Sequence, residues 1–194
     1  MFLLLLACGG ASDKTPTTFD ASSDKGMAIG TITFEGDAPR NDIYRFFYSP
    51  VSGDKKFIKK NDGKIQILGR AKDSRGYNGD FNNKQTYLFV IEREPGNYAF
   101  TEYNYLTHIG YSGMVNNSRK FAIPFEVKKG EVAYIGEFTY VENAEPGIPR
   151  IIVSNNMARD LPEFKKKYQG INWDMAGDKT VKTGDTGNGL VDFR

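Results

Sequence analysis

Few side chains in this sequence are equipped for chemistry, and they stand far apart. Cys8 is the only cysteine and His108 the only histidine among 194 residues. A zinc centre needs several nitrogen or sulfur ligands, so one thiol and one imidazole argue against it, and neither a metal nor a cofactor is expected. Ser112 follows His108 by four residues in Gly110-Tyr111-Ser112-Gly113-Met114. A nucleophile elbow requires glycine where Met114 stands, and a strand-to-helix turn besides, so His108 reads as a loop or interface histidine. The stretch from Asp185 to Asp192 is oxygen-rich like a calcium loop. Gly187 and Leu190 occupy the positions that call for a ligand and a glycine, so the register fails. No catalytic residue is assigned.

Cys8 is a different case. Phe2 to Leu6 form an apolar run that ends at Ala7-Cys8, and the small or polar residues Gly9, Gly10, Ala11, Ser12 and Asp13 follow. That layout belongs to a processing signal more than to a fold element, and it is far shorter than the roughly twenty apolar residues that cross a bilayer. A second candidate is a binding surface made of Tyr103, Tyr105 and Tyr111 beside Asn104, Asn116 and Asn117. Exposed rings next to amides can stack on a sugar or a partner protein. Tyr98 and Phe100 precede them, and alternate strand residues face opposite ways. One of the two aromatic sets must therefore leave the core unless a bulge intervenes. A second layer of core beneath a terminal helix is the plainer alternative.

The elements that must position these residues read mainly as strands. Met27 to Glu35 alternates Ile32 and Phe34 with Thr31 and Thr33, and Ile43 to Tyr48 gives a second strand. Lys55 to Lys60 and Lys64 to Leu68 flank Asn61-Asp62-Gly63, which predicts a hairpin with a lysine-guarded edge. Thr86 to Glu92 and Tyr98 to Tyr103 surround Glu94-Pro95-Gly96-Asn97, a sequence suited to a type II turn. Phe121 to Val127 and Val132 to Val141 make a further pair, with Val132, Tyr134, Phe138 and Tyr140 assigned to one core face. Ile148 to Val153 is a last strand. Asp160-Leu161-Pro162-Glu163 then predicts a helix capped by Asp160 and running from about Leu161 to Gln169. Lys165, Lys166 and Lys167 form a solvated basic face on it.

Composition narrows the classes of function. Lys and Arg total 26 against 24 acidic residues, with no basic stretch dense enough for nucleic acid. Eleven Tyr, fourteen Phe and 21 Gly favour strands joined by tight turns. The expected organisation is a signal and lipidation site over 1–8, a flexible tether over 9–25, one sandwich domain over 26–175 and a mobile tail over 176–194.

Two resemblances add to this. Leu5-Leu6-Ala7-Cys8 resembles the lipobox of bacterial lipoproteins, which implies cleavage before Cys8 and acylation of its thiol and amine. Pro95-Gly96-Asn97-Tyr98, the segment Gly130-Glu131-Val132-Ala133-Tyr134-Ile135-Gly136 and the Arg159-Asp160-Leu161 lead into the helix resemble uncharacterised bacterial lipoproteins with a transthyretin-like or carboxypeptidase-regulatory-like β-sandwich. That family has no assigned catalytic residues.

The expected fold is thus an all-β, antiparallel β-sandwich of about seven to nine strands with one short C-terminal α-helix. The expected role is non-enzymatic, as an accessory or binding module in the bacterial cell envelope. Cys8 would anchor it to a membrane, the outer one being favoured, with its periplasmic or surface face toward an envelope protein or glycan. A periplasmic carboxylate-dependent hydrolase of the glycosidase type is the alternative, and it requires two carboxylates about 5 to 9 Å apart in a cleft. A secreted inhibitor or structural subunit is a third reading. Ligand identity and oligomeric state are left open.

Overall fold

The computed structural model describes residues 18–36, 39–69, 78–109 and 112–194. Cys8, Tyr111, the signal segment and the tether up to residue 17 lie outside them. Among the described residues the chain is an all-β sandwich. One sheet contains β1 (Gly26–Glu35), β4 (Thr86–Arg93), β8 (Val132–Val141), β9 (Ile151–Ser154), β10 (Ala176–Asp178) and β11 (Val191–Phe193). The other contains β2 (Ile43–Pro50), β3 (Gly63–Leu68), β5 (Gly96–Ile109), β6 (Ser112–Asn117) and β7 (Ile123–Val127). Their orders are β11-β9-β8-β1-β4, with β10 also on β8, and β3-β2-β5-β6, with β7 on β5. Two α-helices are added, α1 (Lys55–Asn61) and α2 (Met157–Lys167).

Strand alternation fills the space between the sheets with rings. On β2, Tyr44, Phe46 and Tyr48 are buried while the residues between them are half-exposed. They join Phe34, Phe89, Phe100, Phe138 and Tyr140 in one cluster whose rings pack largely edge to face, as Tyr44 does on Phe34 at 4.8 Å and Phe100 on Phe138 at 5.1 Å and 88°. This is the geometry that aromatic quadrupoles favour. The antiparallel expectation is met throughout the five-stranded sheet. The six-stranded sheet is mixed, since β1 lies parallel to β8, β10 to β8 and β11 to β9.

Two bulges decide which rings face inward. Between β2 and β5 the register slips, so that Phe47 opposes Glu102 while Tyr48 opposes Phe100, and Thr101 is left over. That extra residue lets Tyr98, Phe100 and Tyr103 all point into the core, all at most 6% exposed. In β8 the register with β1 skips Ile135, at the step to Gly136, whose φ of +123° suits glycine. Val132 and Tyr134 therefore face α2, whereas Phe138 and Tyr140 face the inner core. The four do not share a face, contrary to strict alternation.

Other local expectations are corrected. Lys55–Asn61 is a helix: the Asp54 side chain accepts from the Phe57 amide at 2.7 Å, and Phe57 and Ile58 are adjacent rather than alternating. Gly63 begins β3 at a close approach, because a Cβ there would lie 2.3 Å from the Tyr48 hydroxyl. Glu94-Pro95 and the turn at Lys128-Lys129-Gly130-Glu131 do not close hairpins; each carries the chain from one sheet to the other. α2 starts at Met157, so Asp160 lies inside it, fully buried, instead of capping it.

The C-terminal stretch is not a detached tail. β10 and β11 extend the six-stranded sheet, and Val181 and Val191 are buried in the main core. The described end of the tether is also docked, with Phe19 4% exposed and bridged to Ile171. With β10 and β11 the strands number eleven among the described residues.

Candidate functional site

A cleft of about 410 Å³ opens between the sheets at the end where β1 and β8 finish and β2 begins. Asn41 stands just before β2, Glu142 just after β8 and Arg150 just before β9. Tyr103 and Tyr105 reach it from β5, Asn116 and Asn117 from β6, and Ser118 from the segment that follows.

Its polar groups are arranged by a network centred on Glu142. The Tyr44 hydroxyl donates to one carboxylate oxygen at 2.6 Å. Asn41 Nδ2 at 3.2 Å and the Arg40 amide at 3.3 Å donate to the other. Thr107 in turn donates to Asn41 Oδ1 at 2.5 Å. Arg150 donates to the carbonyls of Val141, Glu142 and Ala144, and its guanidinium lies 5.9 Å from the centre of the Tyr140 ring. Burial raises the Tyr140 and Tyr103 hydroxyls above the usual tyrosine value, and burial with the Glu142 bond does the same for Tyr44. These phenols stay neutral and keep their hydrogens for bonding.

The candidate residues separate here. Tyr103 is 6% exposed and packs against Tyr140, Phe46 and Phe121, so it belongs to the core and floors the cleft instead of presenting a stacking face. The bulge at Thr101 put it there. Tyr105 is half-exposed and lines the wall, with Asn116 opposite it in the β5–β6 register. Cys8 and Tyr111 lie outside the described residues. His108 is exposed and its Nδ1 sits 2.9 Å from Asp42 Oδ2. It stands opposite Gly113, and no hydrogen bond joins it to Ser112. Sequence reasoning missed Glu142, Arg150 and Asn41, which come together only because three strand ends meet.

Glu142 is the single carboxylate among the lining residues, so the cleft lacks the pair that glycoside hydrolysis uses. A close carboxylate pair does exist elsewhere, beneath α2. Asp160 accepts from Thr31 and from Tyr134, both at 2.7 Å, and Glu137 accepts from Thr33 at 2.5 Å. Arg159 bridges the two, at 2.7 Å and 2.6 Å. Both carboxylates are buried and spoken for by these donors. Among the described residues no group of three or more His, Cys, Asp or Glu could hold a metal ion, and no helix is long and apolar enough to cross a membrane.

The fold and cleft define a β-sandwich with a polar, aromatic-floored pocket at one end. No family model matches the chain, and no curated protein matches it. Among solved structures, a leucine-rich repeat protein from Bacteroides thetaiotaomicron is similar over 63% of this chain, at 10% identity and a TM-score of 0.32. The chain spans 15% of that protein's length, and a likeness this low bears on neither fold nor function.

Proposed function

We propose that the chain is a membrane-anchored bacterial lipoprotein whose sandwich is a non-enzymatic binding module of the cell envelope, with a glycan as ligand of the end cleft. The observation that carries this reading is the lining of the cleft. Asn116 and Asn117 offer both donors and acceptors beside the half-exposed Tyr105 ring. Sugars are recognised by that combination, because amides and hydroxyls match their hydroxyls while a ring covers their apolar C–H face. The anchor rests on Cys8 and the residues around it, eleven positions ahead of Phe19, the first buried residue among those described.

Two measurements test the two halves. Metabolic labelling with a fatty-acid analogue should mark the wild type and not Cys8→Ser; equal labelling, or none, overturns the anchor. Titration of the protein with envelope oligosaccharides should show saturable binding that Tyr105→Ala and Asn116→Ala each weaken about tenfold, the worth of one good polar or stacking contact. Binding unchanged in both variants overturns the cleft as the site.

A further inference from the structure

We infer that the opposite end of the sandwich docks on anionic lipid headgroups, so that the domain stands end-on with its cleft turned away from the membrane. The inference builds on the anchored reading of Cys8 but is carried by separate observations.

The first is where the chain joins the body. Gly26 opens β1 opposite Arg93 at the end of β4, and Met27 lies beside Val132 at the start of β8. Phe19 is bridged to Ile171, close before Ala176, which also pairs with Val132. All of this is at the far end of β1 from the cleft, a separation of about 30 Å for a ten-residue strand. Thr18, the first described residue, therefore stands at the end remote from Glu142.

The second is the charge found there. α1 sits at this end, joined to the β4–β5 crossing by Lys60 and Asn61, both of which bond the Glu94 carboxylate. Lys60 and then Asn61 hold that carboxyl below its usual range, and Lys25 beside β1 lies 3.6 Å from Glu92. Lys55, Lys56 and Lys59 are exposed and have no ion pair among the described residues. Lys59, Lys60, Lys64 and Arg93 then line a cleft of about 590 Å³ whose acids are Asp62 and Glu102. Glu102 is already engaged by Lys120 at 2.6 Å. Val51, 65% exposed, projects from the loop before α1, an apolar contact suited to a headgroup layer.

The lysines of α2 make the contrast. Lys167 is bonded to Asp80 at 2.5 Å and Lys166 lies 3.9 Å from Glu163, so two of the three lysines there have acidic partners within the protein and Lys165 alone is exposed without one among the described residues. Clusters of unpaired lysines next to an anchor add attraction to an anionic leaflet that fades within a Debye length.

The test uses the full chain as Cys8→Ser, which carries no lipid, in co-sedimentation with vesicles of phosphatidylglycerol and phosphatidylcholine at low salt. Binding is expected to the mixed vesicles and not to phosphatidylcholine alone, and to be lost in about 0.5 M salt, where the Debye length falls to a few Å. Lys55→Glu/Lys56→Glu/Lys59→Glu should reduce it at least tenfold with an unchanged circular dichroism spectrum. Lys165→Glu/Lys166→Glu should leave it intact. Failure to bind, equal binding to phosphatidylcholine, equal loss in the α2 variant, or displacement by millimolar inorganic phosphate at constant ionic strength would each overturn the docking. Because the lipid is absent, docking can fail while Cys8 still labels, and labelling can fail while docking holds.

Discussion

The two faces of the six-stranded sheet solve burial in opposite ways. The inner face is a ring-packed core whose phenol oxygens are joined, at the cleft end, by the buried Asn41 and Glu142. The outer face, under α2, buries two carboxylates among Met27, Ile29, Tyr134 and Phe164, and the partly exposed Arg159 bridges them. β8 serves both, because the bulge at Gly136 turns the strand over halfway along. A hydrophobic face tolerates loss of a contact in proportion to the atoms removed. A buried charged network does not, since each deletion leaves partners unsatisfied.

That difference can be broken by mutation. Asp160→Ala and Phe138→Ala should each cost about 3–5 kcal/mol, measured by urea denaturation, for unlike reasons. Asp160→Leu combined with Thr31→Val and Tyr134→Phe should regain most of the first loss, because neither buried hydroxyl is then stranded and Arg159, 38% exposed, keeps Glu137 and solvent as partners; no recovery would show that the network acts through shape alone. Gly136→Ala should cost about 1–3 kcal/mol, since a Cβ is strained at a φ of +123° and would lie 3.1 Å from the Ser154 carbonyl oxygen. Arg159→Ala should cost less, about 1–2 kcal/mol, because its side chain is 38% exposed and solvent screens part of the attraction. Burial by itself would lower that guanidinium, and the Glu137 and Asp160 bonds hold it above its ordinary value.

The smallest effect appears only in alkali. Burial raises Tyr98 to about 12, and Tyr44, Tyr134 and Tyr140 go higher still. A phenol whose folded pKa is raised favours the folded state by an amount fully present below the ordinary tyrosine value of about 10. It is lost as pH climbs from there through the raised values. Stability should therefore stay flat in this respect up to about pH 10 and fall above it, with these four rings ionising together with unfolding. Absorbance near 295 nm checks this, and early titration of all tyrosines would contradict it.

Much of the fold was legible in residue order. Ile32 and Phe34 against Thr31 and Thr33 placed β1 correctly, with the threonines on the face that meets Asp160 and Glu137. Tyr98 to Tyr105 showed that a bulge was needed to keep both sets of rings inside, and Thr101 is where it falls. Lys55 to Lys60 was misread because Asp62-Gly63 resembles a hairpin turn, whereas the adjacent pair Phe57-Ile58 and the Asp54 cap call for a helix. Asp160 was misread as a cap because local rules do not register Thr31, 129 residues away.

Strand content, the aromatic core, and the motif at Cys8 follow from the sequence alone, since period-two alternation and a short apolar run before a lone thiol are local patterns. Whether a turn closes a hairpin or crosses between sheets, which face β8 shows on either side of Gly136, and the meeting of Asn41, Tyr105, Glu142 and Arg150 at one end were decided by tertiary structure. Each depends on which strands pair, and pairing is settled by contacts between residues remote in the chain.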